Sequence, residues 1–563
     1  MPKCKQCNTG FEITDDDRKF YDSVSPIFGG KKFTIPEPAL CPDCRQQLRQ
    51  SFRNERTFYR RDCSKCKKSM ISVYEPGADF VVYCHDCWWG DGWSGLDFGV
   101  DFDFNRPFFE QWDRLNRRVP QLGLLINRCE NSDYCNQTTG LKNCYLCVNS
   151  SFSEDSYYSK GLSYSRDCMD CFKVYQCELC YECVDCHNCY NSKYLQNCKN
   201  CRDSFFCLDC QGCSYCFGCA GLRNKQYYIY NKPVSPEEYE KNIKKILVTD
   251  SPEDIQKEFQ KVNLLVPRPA LTMLNAENCT GDCLYDSKNV QDSYDVVGGE
   301  NLRFCYDLRA KDDNSYDITA IGDGISFSYE TISSGINIHN CCFVNNCWDG
   351  VSGLLYCHLV VHGSADCLGS VGLRHSRYAI FNKIYSKEEY GHLAGKIIVH
   401  MQKTGEWGQF FPPKLSPFPY NASLAQEYYP LTRNEALKKG FCWSDYQFAS
   451  PKVTKVITAD QMPRLSRNIE EIPDDILNWA LTCKKTGKLY KIIPQELEFY
   501  RKNHLSVPHY HQDERHRRRM SLRNPRKLYK SKCGKCQKII KTTYLPDRPE
   551  IVYCEACYLK EVY

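Results

Sequence analysis

Between Cys129 and Leu222, every third position of the chain carries a small or aliphatic side chain. These 32 positions hold 18 Cys, eight Ser, one Thr, four Leu and one Val, and every cysteine of the stretch falls in this one register. A period of three fits neither a strand, whose faces alternate every two residues, nor an α-helix with its 3.6 residues per turn. It predicts a parallel β-solenoid, in which each short segment points one small side chain inward and then turns a corner.

A longer period of six residues supports the predicted corners. Asn or Asp precedes alternate members of the register, for example at Asn143, Asp155 and Asp185. These residue types tolerate a left-handed backbone conformation better than most others. The pattern resembles hexapeptide-repeat left-handed β-helices, but the inward residues of those proteins alternate at unequal spacing. The handedness and the rung shape therefore stay open.

A second copy of the repeat lies 151 residues downstream, where Gly221-Leu222-Arg223 returns as Gly372-Leu373-Arg374. Upstream of this second copy the period of three holds fewer thiols and more aliphatic residues, such as Val290 and Val296. Because aliphatic side chains cannot bind metal, we expect the inward cysteines to pack as small hydrophobic groups. A metal or cluster site in the first ladder and thiol redox chemistry remain as alternatives.

Twelve other cysteines form six Cys-x-x-Cys pairs near the chain ends, and 17 residues separate the pairs both between Cys66 and Cys84 and between Cys536 and Cys554. Two such pairs give a closed tetrahedral site of four thiolates, typical of structural zinc, and metal binding drives the folding of such short modules. The first two pairs resemble a treble-clef finger. The sequence predicts about three zinc ions. Their ligands are Cys4, Cys7, Cys41, Cys44, Cys63, Cys66, Cys84, Cys87, Cys533, Cys536, Cys554 and Cys557.

The C-terminal end repeats the N-terminal end at a constant offset of 470 residues. At this offset Cys41 becomes His511 and Cys44 becomes Glu514. The second treble clef is therefore predicted to have lost its metal. An alternative is a site rebuilt from Cys483, His509 and His511.

Basic residues with the spacing of one helix face follow the treble-clef cysteines in both copies. Five like charges on one face repel one another and need an anionic counterpart, and arginine suits phosphate oxygens. A zinc knuckle followed by such a helix resembles small ribosomal zinc proteins, whose fingers lie on RNA backbone. The predicted nucleic-acid-binding residues are Arg45, Arg49, Arg53, Arg56, Arg60, Arg515, Arg519, Arg523, Arg526 and Lys530.

Two other partners for these arginine stripes stay open. One is an acidic protein. The other is internal: the stripes could face Asp15-Asp16-Asp17, the acidic segment around residues 97–104, or carboxylates on the solenoids. A net charge of only +5 makes the internal alternative credible.

Composition narrows the class of protein further. The chain has 563 residues and 40 cysteines, 42% of it is hydrophobic, and it contains no run of 18 apolar residues that could span a membrane. Its start shows no secretory signal, so we expect a reducing cytoplasm, in which thiols stay reduced or bind metal. The sequence contains no phosphate-binding loop, no convincing dinucleotide fingerprint and no H-E-x-x-H motif, and we therefore expect no enzymatic activity.

As a whole the chain resembles uncharacterised cysteine-rich zinc-ribbon proteins of small-genome candidate-phylum bacteria. The resemblance rests on three segments, Phe33–Arg45, Val82–Trp89 and the Asn143–Cys147 repeat. It implies a bacterial cytoplasmic protein and implies no particular activity.

The predicted fold is mainly β, with two tandem parallel β-solenoids, each followed by a short helical segment, and small zinc modules at both ends. We expect a non-enzymatic zinc-binding protein that binds structured RNA or a ribonucleoprotein, with a protein-interaction scaffold and a thiol-based metal or redox protein as alternatives. The expected domains are a treble clef (1–62), a zinc ribbon (63–95), a link with a helix (96–124), solenoid 1 (125–232), a helical segment (233–270), solenoid 2 (271–383), a helix (384–403), a Pro- and aromatic-rich linker (404–480), a degenerate treble clef (481–530) and a second zinc ribbon (531–563).

Overall fold

The structure is a computed structural model. It describes residues 1–563 except 250, 251, 310, 311, 463, 464, 466, 467 and 563, and describes only the backbone of residues 247–249, 252, 253 and 321. The chain forms two compact units, each assembled from separate segments. Unit 1 comprises Met1–Leu124, Leu271–Asp445 and Arg526–Leu528, and unit 2 comprises Leu125–Ala270, Tyr446–Pro525 and Tyr529–Tyr563.

The α-helices lie outside the solenoids. The helix that follows each solenoid begins at a capping box: Ser235 and Glu238 exchange hydrogen bonds at the start of one, and Ser386 and Glu389 at the start of the other. The helices are α1 (Asp15–Ser23), α2 (Pro42–Ser51), α3 (His85–Trp89), α4 (Phe108–Arg118), α5 (Pro236–Thr249), α6 (Pro252–Leu265), α7 (Lys387–Thr404), α8 (Leu424–Tyr428), α9 (Arg433–Lys438), α10 (Pro494–Lys502), α11 (Gln512–Ser521) and α12 (Glu555–Val562).

Short strands shape the N-terminal modules of unit 1. The strands β3 and β4 form an antiparallel hairpin that carries the first Cys-x-x-Cys turn of the ribbon, and β5 pairs in parallel with β6. The strands are β1 (Ile27–Phe28), β2 (Lys31–Lys32), β3 (Tyr59–Asp62), β4 (Ser69–Ser72), β5 (Val82–Tyr83) and β6 (Gln121–Leu122).

The first solenoid is confirmed, and its unit is a triplet. In one triplet Tyr145 pairs with Tyr157 of the next rung, Leu146 has a left-handed φ of 52°, and Cys147 points inward and is fully buried. Paired residues are 12 positions apart, so four triplets complete a rung. Its strands are β7 (Ile126–Asn127), β8 (Thr138–Thr139), β9 (Lys160–Ser163), β10 (Phe172–Tyr175), β11 (Ser214–Phe217), β12 (Gln226–Ile229) and β13 (Lys232–Pro233), and β14 (Arg268–Pro269) follows the helical segment.

The second solenoid, which lies in unit 1, has rungs of unequal length. Paired residues are 12 apart at Gly281 and Ser293 but 13 apart at Tyr329 and Cys342. The longer rungs turn a corner with two consecutive left-handed residues, as at Ile336 and Asn337.

Its strands are β15 (Met273–Glu277), β16 (Gly281–Lys288), β17 (Ser293–Val297), β18 (Glu300–Arg303), β19 (Tyr306–Arg309), β20 (Asp313–Ile321), β21 (Ile325–Ser326), β22 (Tyr329–Ser334), β23 (Ile338–His339), β24 (Cys342–Asn345), β25 (Ser352–Leu355), β26 (Ala365–Leu368), β27 (Arg377–Ile380) and β28 (Lys383–Ile384).

Helices pack against the last rungs of both solenoids. In unit 2, α5 and α6 bury Tyr239, Ile243 and Phe259 in one apolar cluster with Phe217 and Ile229 of solenoid 1. In unit 1, α7 lies against β27, and the rings of Tyr378 and Tyr390 are 5.8 Å apart. These helices therefore cover apolar surface that the last rungs would otherwise expose.

The C-terminal segments of unit 2 repeat the N-terminal hairpin. The strands β32 and β33 pair antiparallel, as β3 and β4 do, and β34 pairs in parallel with β14. The strands are β29 (Lys455–Ile457), β30 (Trp479–Thr482), β31 (Leu489–Tyr490), β32 (Tyr529–Lys532), β33 (Ile539–Thr542) and β34 (Val552–Tyr553).

Candidate metal centres

The twelve cysteines predicted as ligands come together in three groups of four. Within each group all four Sγ atoms lie within 4.8 Å of one another. The first group joins the turn at Cys4 to the start of α2, and each of the other two joins a ribbon hairpin to the start of a short helix. The groups are Cys4, Cys7, Cys41 and Cys44; Cys63, Cys66, Cys84 and Cys87; and Cys533, Cys536, Cys554 and Cys557.

The sulfur geometry of these groups fits a tetrahedral ion. The Sγ atoms of Cys7 and Cys41 are 3.6 Å apart, and those of Cys66 and Cys84 are 3.8 Å apart. Tetrahedral coordination with zinc–sulfur bonds of about 2.3 Å requires sulfur–sulfur separations of about 3.8 Å. Each group could therefore hold one metal ion through four sulfur atoms.

Backbone N–H groups favour the thiolate form in the ribbon sites. The N–H of Cys84 donates to Sγ of Cys63 at 3.3 Å, and the N–H of Cys554 donates to Sγ of Cys533 at the same distance. Burial opposes ionisation of Cys63, but these backbone hydrogen bonds outweigh it and lower the pKa of that thiol to about 6. A lowered pKa prepares the thiol for metal binding, because the thiolate is the form that ligates.

The degenerate treble clef in unit 2 keeps the shape of the finger with different chemistry. The N–H of Cys483 donates to the carbonyl of Lys488 at 2.9 Å, as expected for a zinc knuckle. Glu514 is buried, and its carboxylate pairs with Lys485 at 2.6 Å and with Arg517. An ammonium group thus supplies positive charge next to Glu514, the residue that replaces a cysteine ligand. No fourth group of clustered ligand atoms occurs among the described residues, which include Cys483, His509 and His511.

The inward thiols of solenoid 1 point at carbonyl oxygens. Sγ of Cys168 lies 3.3 Å from the carbonyl of Arg166 and 3.5 Å from that of Cys177, and the same two contacts recur along the ladder. Carbonyl oxygens repel a thiolate and accept from a thiol. Burial raises the pKa of Cys147 and Cys183 well above the usual range of a thiol, whereas hydrogen bonds from neighbouring thiols lower the pKa of Cys180 and Cys219. None of these thiols belongs to a group of clustered ligand atoms in the described part of the chain.

The N-terminal arginine stripe is buried against solenoid 2, within unit 1. Arg45 pairs with Asp317 at 2.8 Å, and Arg49 pairs with Asp317 at 2.9 Å and with Glu330 at 2.5 Å. Arg53 donates to Ser333 Oγ at 2.7 Å. Each of these three guanidinium groups thus binds a side chain of solenoid 2 and also a neighbouring residue of the finger.

In the C-terminal stripe, Arg515 and Arg519 are arranged in the same way against solenoid 1, within unit 2, whereas Arg526 belongs to unit 1 and pairs there with Asp295 at 2.7 Å. Arg515 pairs with Asp170 at 3.1 Å, and Arg519 pairs with Asp170 at 2.8 Å and with Glu182 at 3.5 Å. Burial raises the pKa of Glu182 to about 7, although the charge of Arg519 acts against this shift. The two helices therefore dock by the same contacts on two different solenoids.

The acidic partners of these arginines belong to one column of residues with left-handed φ values in each solenoid. The sequence analysis did not predict these acidic residues as partners. Each column consists of an aromatic residue, Asp, Glu and a second aromatic residue, one in each successive rung. The guanidinium of Arg45 lies over the ring of Phe304, and that of Arg515 lies over the ring of Tyr158. The constant spacing of the column residues, 12 in one solenoid and 13 in the other, could have identified them in the sequence. The columns are Tyr158, Asp170, Glu182 and Tyr194, and Phe304, Asp317, Glu330 and Phe343.

These contacts correct the expectation that the stripes face RNA. Five of the ten predicted nucleic-acid-binding residues are buried, and Arg56, Arg523 and Arg526 are half-buried. Only Arg60 and Lys530 are exposed. A guanidinium that is buried and paired with carboxylates of the same chain cannot reach a phosphate in this fold. The buried arginines therefore have internal partners on the solenoids, which was the alternative to RNA. They are Arg45, Arg49, Arg53, Arg515 and Arg519.

Comparisons with known proteins leave the family of the chain unassigned. No family model matches the sequence, and no curated protein is similar to it. The resemblance to candidate-phylum zinc-ribbon proteins therefore gains no support beyond the three cysteine groups. Among solved structures, a "putative acetyltransferase" from Desulfovibrio desulfuricans G20 is 8% identical, with 48% of this chain and 66% of that chain covered and a TM-score of 0.09. No helix in the described residues combines the length and apolarity needed to cross a bilayer.

Proposed function

We propose that the protein is a non-enzymatic zinc-binding scaffold that binds structured RNA. The observation that carries the proposal is the combination of closed four-cysteine sites with exposed basic residues on the ribbon modules. The ribbon of unit 1 exposes Arg60, Lys65, Lys67 and Lys68. The ribbon of unit 2 exposes Lys530, Lys532, Lys535, Lys538 and Lys541.

The donor set supports zinc and a structural role. Four cysteine sulfurs at tetrahedral separations leave no open coordination position for water or substrate. Ribbons of this size bury little apolar surface, so the metal supplies much of their folding free energy. In this role the ion holds the finger and ribbon rigid, and these modules in turn present basic side chains to a partner.

The inward cysteines support the same division of roles. Their sulfurs are enclosed by backbone carbonyls and by the neighbouring rungs, where neither an oxidant nor a metal ion has access. Buried thiols of this kind are structural, which argues against the thiol-based metal or redox alternative.

A protein-interaction scaffold is the second candidate, because solenoid 1 exposes a row of aromatic rings. Phe152 and Tyr164 stack with ring centroids 5.2 Å apart, and Tyr175 follows at 5.9 Å from Tyr164. Exposed aromatic rings are enriched at protein interfaces. The RNA proposal and this one differ in their salt dependence, since only the former depends mainly on phosphate contacts.

The test combines metal analysis with RNA binding by the full-length protein. We expect three zinc ions per chain, one for each group of four cysteines. A fluorescently labelled RNA hairpin should bind, and its affinity should fall steeply between about 50 and 200 mM salt. Removing zinc with a chelator should unfold the ribbons and abolish binding. Iron with sulfide in the purified protein, or no RNA binding at the lowest salt concentration, would contradict the proposal.

A further inference from the structure

The hairpin of the second ribbon carries lysines on one exposed face. Lys530 lies directly opposite Lys541, and Lys532 lies opposite Ile539. Side chains alternate between the two faces of a hairpin, so these four residues share one face, and all four are exposed. Lys538 is also exposed, at the residue before β33. We call Lys530, Lys532 and Lys541 the lysine face.

The lysine face has no ion-pair partner among the residues that the structure describes. No carboxylate in this part of the chain lies within ion-pair distance of its three ammonium groups, whereas Lys535 in the same ribbon pairs with Glu561. Like charges directly opposite one another on a hairpin are destabilising, and Lys530 and Lys541 are such a pair. The buried arginines have carboxylate partners, so this face differs from them in lacking a counterion among the described residues.

The ribbon of unit 1 forms the same hairpin without two of these lysines. It has the same hairpin and the same four-cysteine geometry. At the offset of 470 residues, however, Lys532 corresponds to Asp62 and Lys541 corresponds to Ile71. Two of the three charges are therefore specific to the C-terminal ribbon, although the four cysteines of the two ribbons are equivalent.

We propose that the lysine face is the RNA-binding surface and that it contacts the phosphates of double-helical RNA. The inference rests on the proposed function and names its surface. Lysine binds phosphate as a mobile point charge, and the face has no arginine fork or amide with which to read base edges. Binding through it would therefore depend on charge and helix geometry with little dependence on sequence.

The composition of the face favours a duplex over other polyanions. It has no aromatic ring on which single-stranded bases could stack, since the residue among the lysines is Ile539. The deep, narrow major groove of A-form RNA brings two rows of phosphates close together. The facing lysines of the two strands, with Cβ atoms about 5 Å apart, suit such closely spaced phosphates.

The test exchanges two lysines for the residues of the other ribbon. The double variant Lys532→Asp/Lys541→Ile should keep three zinc ions and bind a labelled RNA duplex roughly tenfold more weakly or worse. The slope of log affinity against log salt should fall by about 2. The control variant Lys241→Asp/Lys244→Ile makes the same charge change at exposed positions of α5 and should bind like wild type.

Each outcome separates this inference from the proposed function. If wild type binds the RNA and the ribbon variant binds equally well, the lysine face is not the site, although RNA binding stands. If no RNA binds to wild type, both fail. Equal or tighter binding to a DNA duplex of the same sequence, to vesicles with anionic lipids or to an acidic polypeptide would overturn the assignment to RNA. The reciprocal variant Asp62→Lys/Ile71→Lys should strengthen RNA binding, and weaker binding by it would count against the inference.

Discussion

The thiol of Cys177 takes part in three weak hydrogen bonds. It lies 3.5 Å from the carbonyl of Tyr175 and 3.6 Å from that of Cys186, and its sulfur accepts the N–H of Cys189 at 3.4 Å. Ser165, one rung earlier, does the same with its hydroxyl and accepts the N–H of Cys177 at 3.2 Å. The inward position therefore favours a small side chain that both donates and accepts, which explains why Cys and Ser predominate there.

We predict that Cys177→Ser is less destabilising than Cys177→Ala. Both substitutions remove a similar volume, but serine keeps a donor for the carbonyl of Tyr175 and an acceptor for the N–H of Cys189. Alanine leaves the buried N–H of Cys189 without its acceptor, so the free energy of unfolding of the alanine variant should be about 1 kcal/mol lower than that of the serine variant. Urea denaturation of the two variants measures the difference. An alanine variant as stable as the serine variant would show that the thiol only fills space.

The sequence predicts the inward register of Cys177 but only part of its role. The register is visible because each triplet repeats locally and the same position recurs three residues later. Aliphatic residues such as Val174 in this register indicate packing, and we read the cysteines in the same way. The eight serines of the register indicate that the inward side chain also forms hydrogen bonds, because serine is polar and both donates and accepts.

At the scale of elements, α2 and α11 share one way of docking. In each helix two arginines, one turn apart, pair with the same Asp, and the second arginine also pairs with the Glu one rung further on. The spacing of the arginines predicts one helix face, as observed. The partner of that helix face could not be predicted, because Asp317 lies about 270 residues from Arg45 in the sequence and no local pattern relates the two residues.

We predict that Arg49→Met strongly destabilises the protein. The substitution leaves Glu330 without its closest cation in a buried position, which should cost about 3–5 kcal/mol of unfolding free energy. The double variant Arg49→Met/Glu330→Met removes both charges and should recover much of this loss. Urea denaturation followed by circular dichroism measures each variant.

The matched control is Arg60→Met, at the exposed end of the same stripe, where the change should stay within about 0.5 kcal/mol. If Arg49→Met were as benign as this control, the N-terminal stripe would be free to face an external anion and its burial against solenoid 2 would be refuted.

At the scale of the whole molecule, the order of the segments along the chain differs from their grouping into the two units. The N-terminal modules join residues 271–445 in unit 1, whereas residues 125–270 join the C-terminal modules in unit 2. The internal duplications predict two similar halves, but a consecutive series of domains is the simplest arrangement that a sequence offers. The acidic columns decide otherwise, because Asp317 receives the arginines of α2 and Asp170 receives those of α11.

This assembly predicts that a cut between residues 270 and 271 yields two fragments that bind each other. The cut falls at a boundary between the segments of the two units, so residues 1–270 and 271–563 each carry part of both units. Each fragment alone exposes unpaired buried charges, namely those of Arg45 and Arg49 in the first and of Asp317 and Glu330 in the second. We expect co-expressed fragments, with a tag on only one, to purify together and to carry three zinc ions.

The control for this experiment reverses the charges at the docking columns. Asp170→Lys in the first fragment and Asp317→Lys in the second place a lysine against buried arginines and should lower the amount of untagged fragment that co-purifies. Independent modules arranged in chain order would give the opposite result, since residues 1–270 and 271–563 would then fold separately and elute apart. Association that survives both charge reversals would show that other contacts between the fragments, such as the pairing of β14 with β34 and the contact of Trp112 with Phe411, hold them together without the arginine helices.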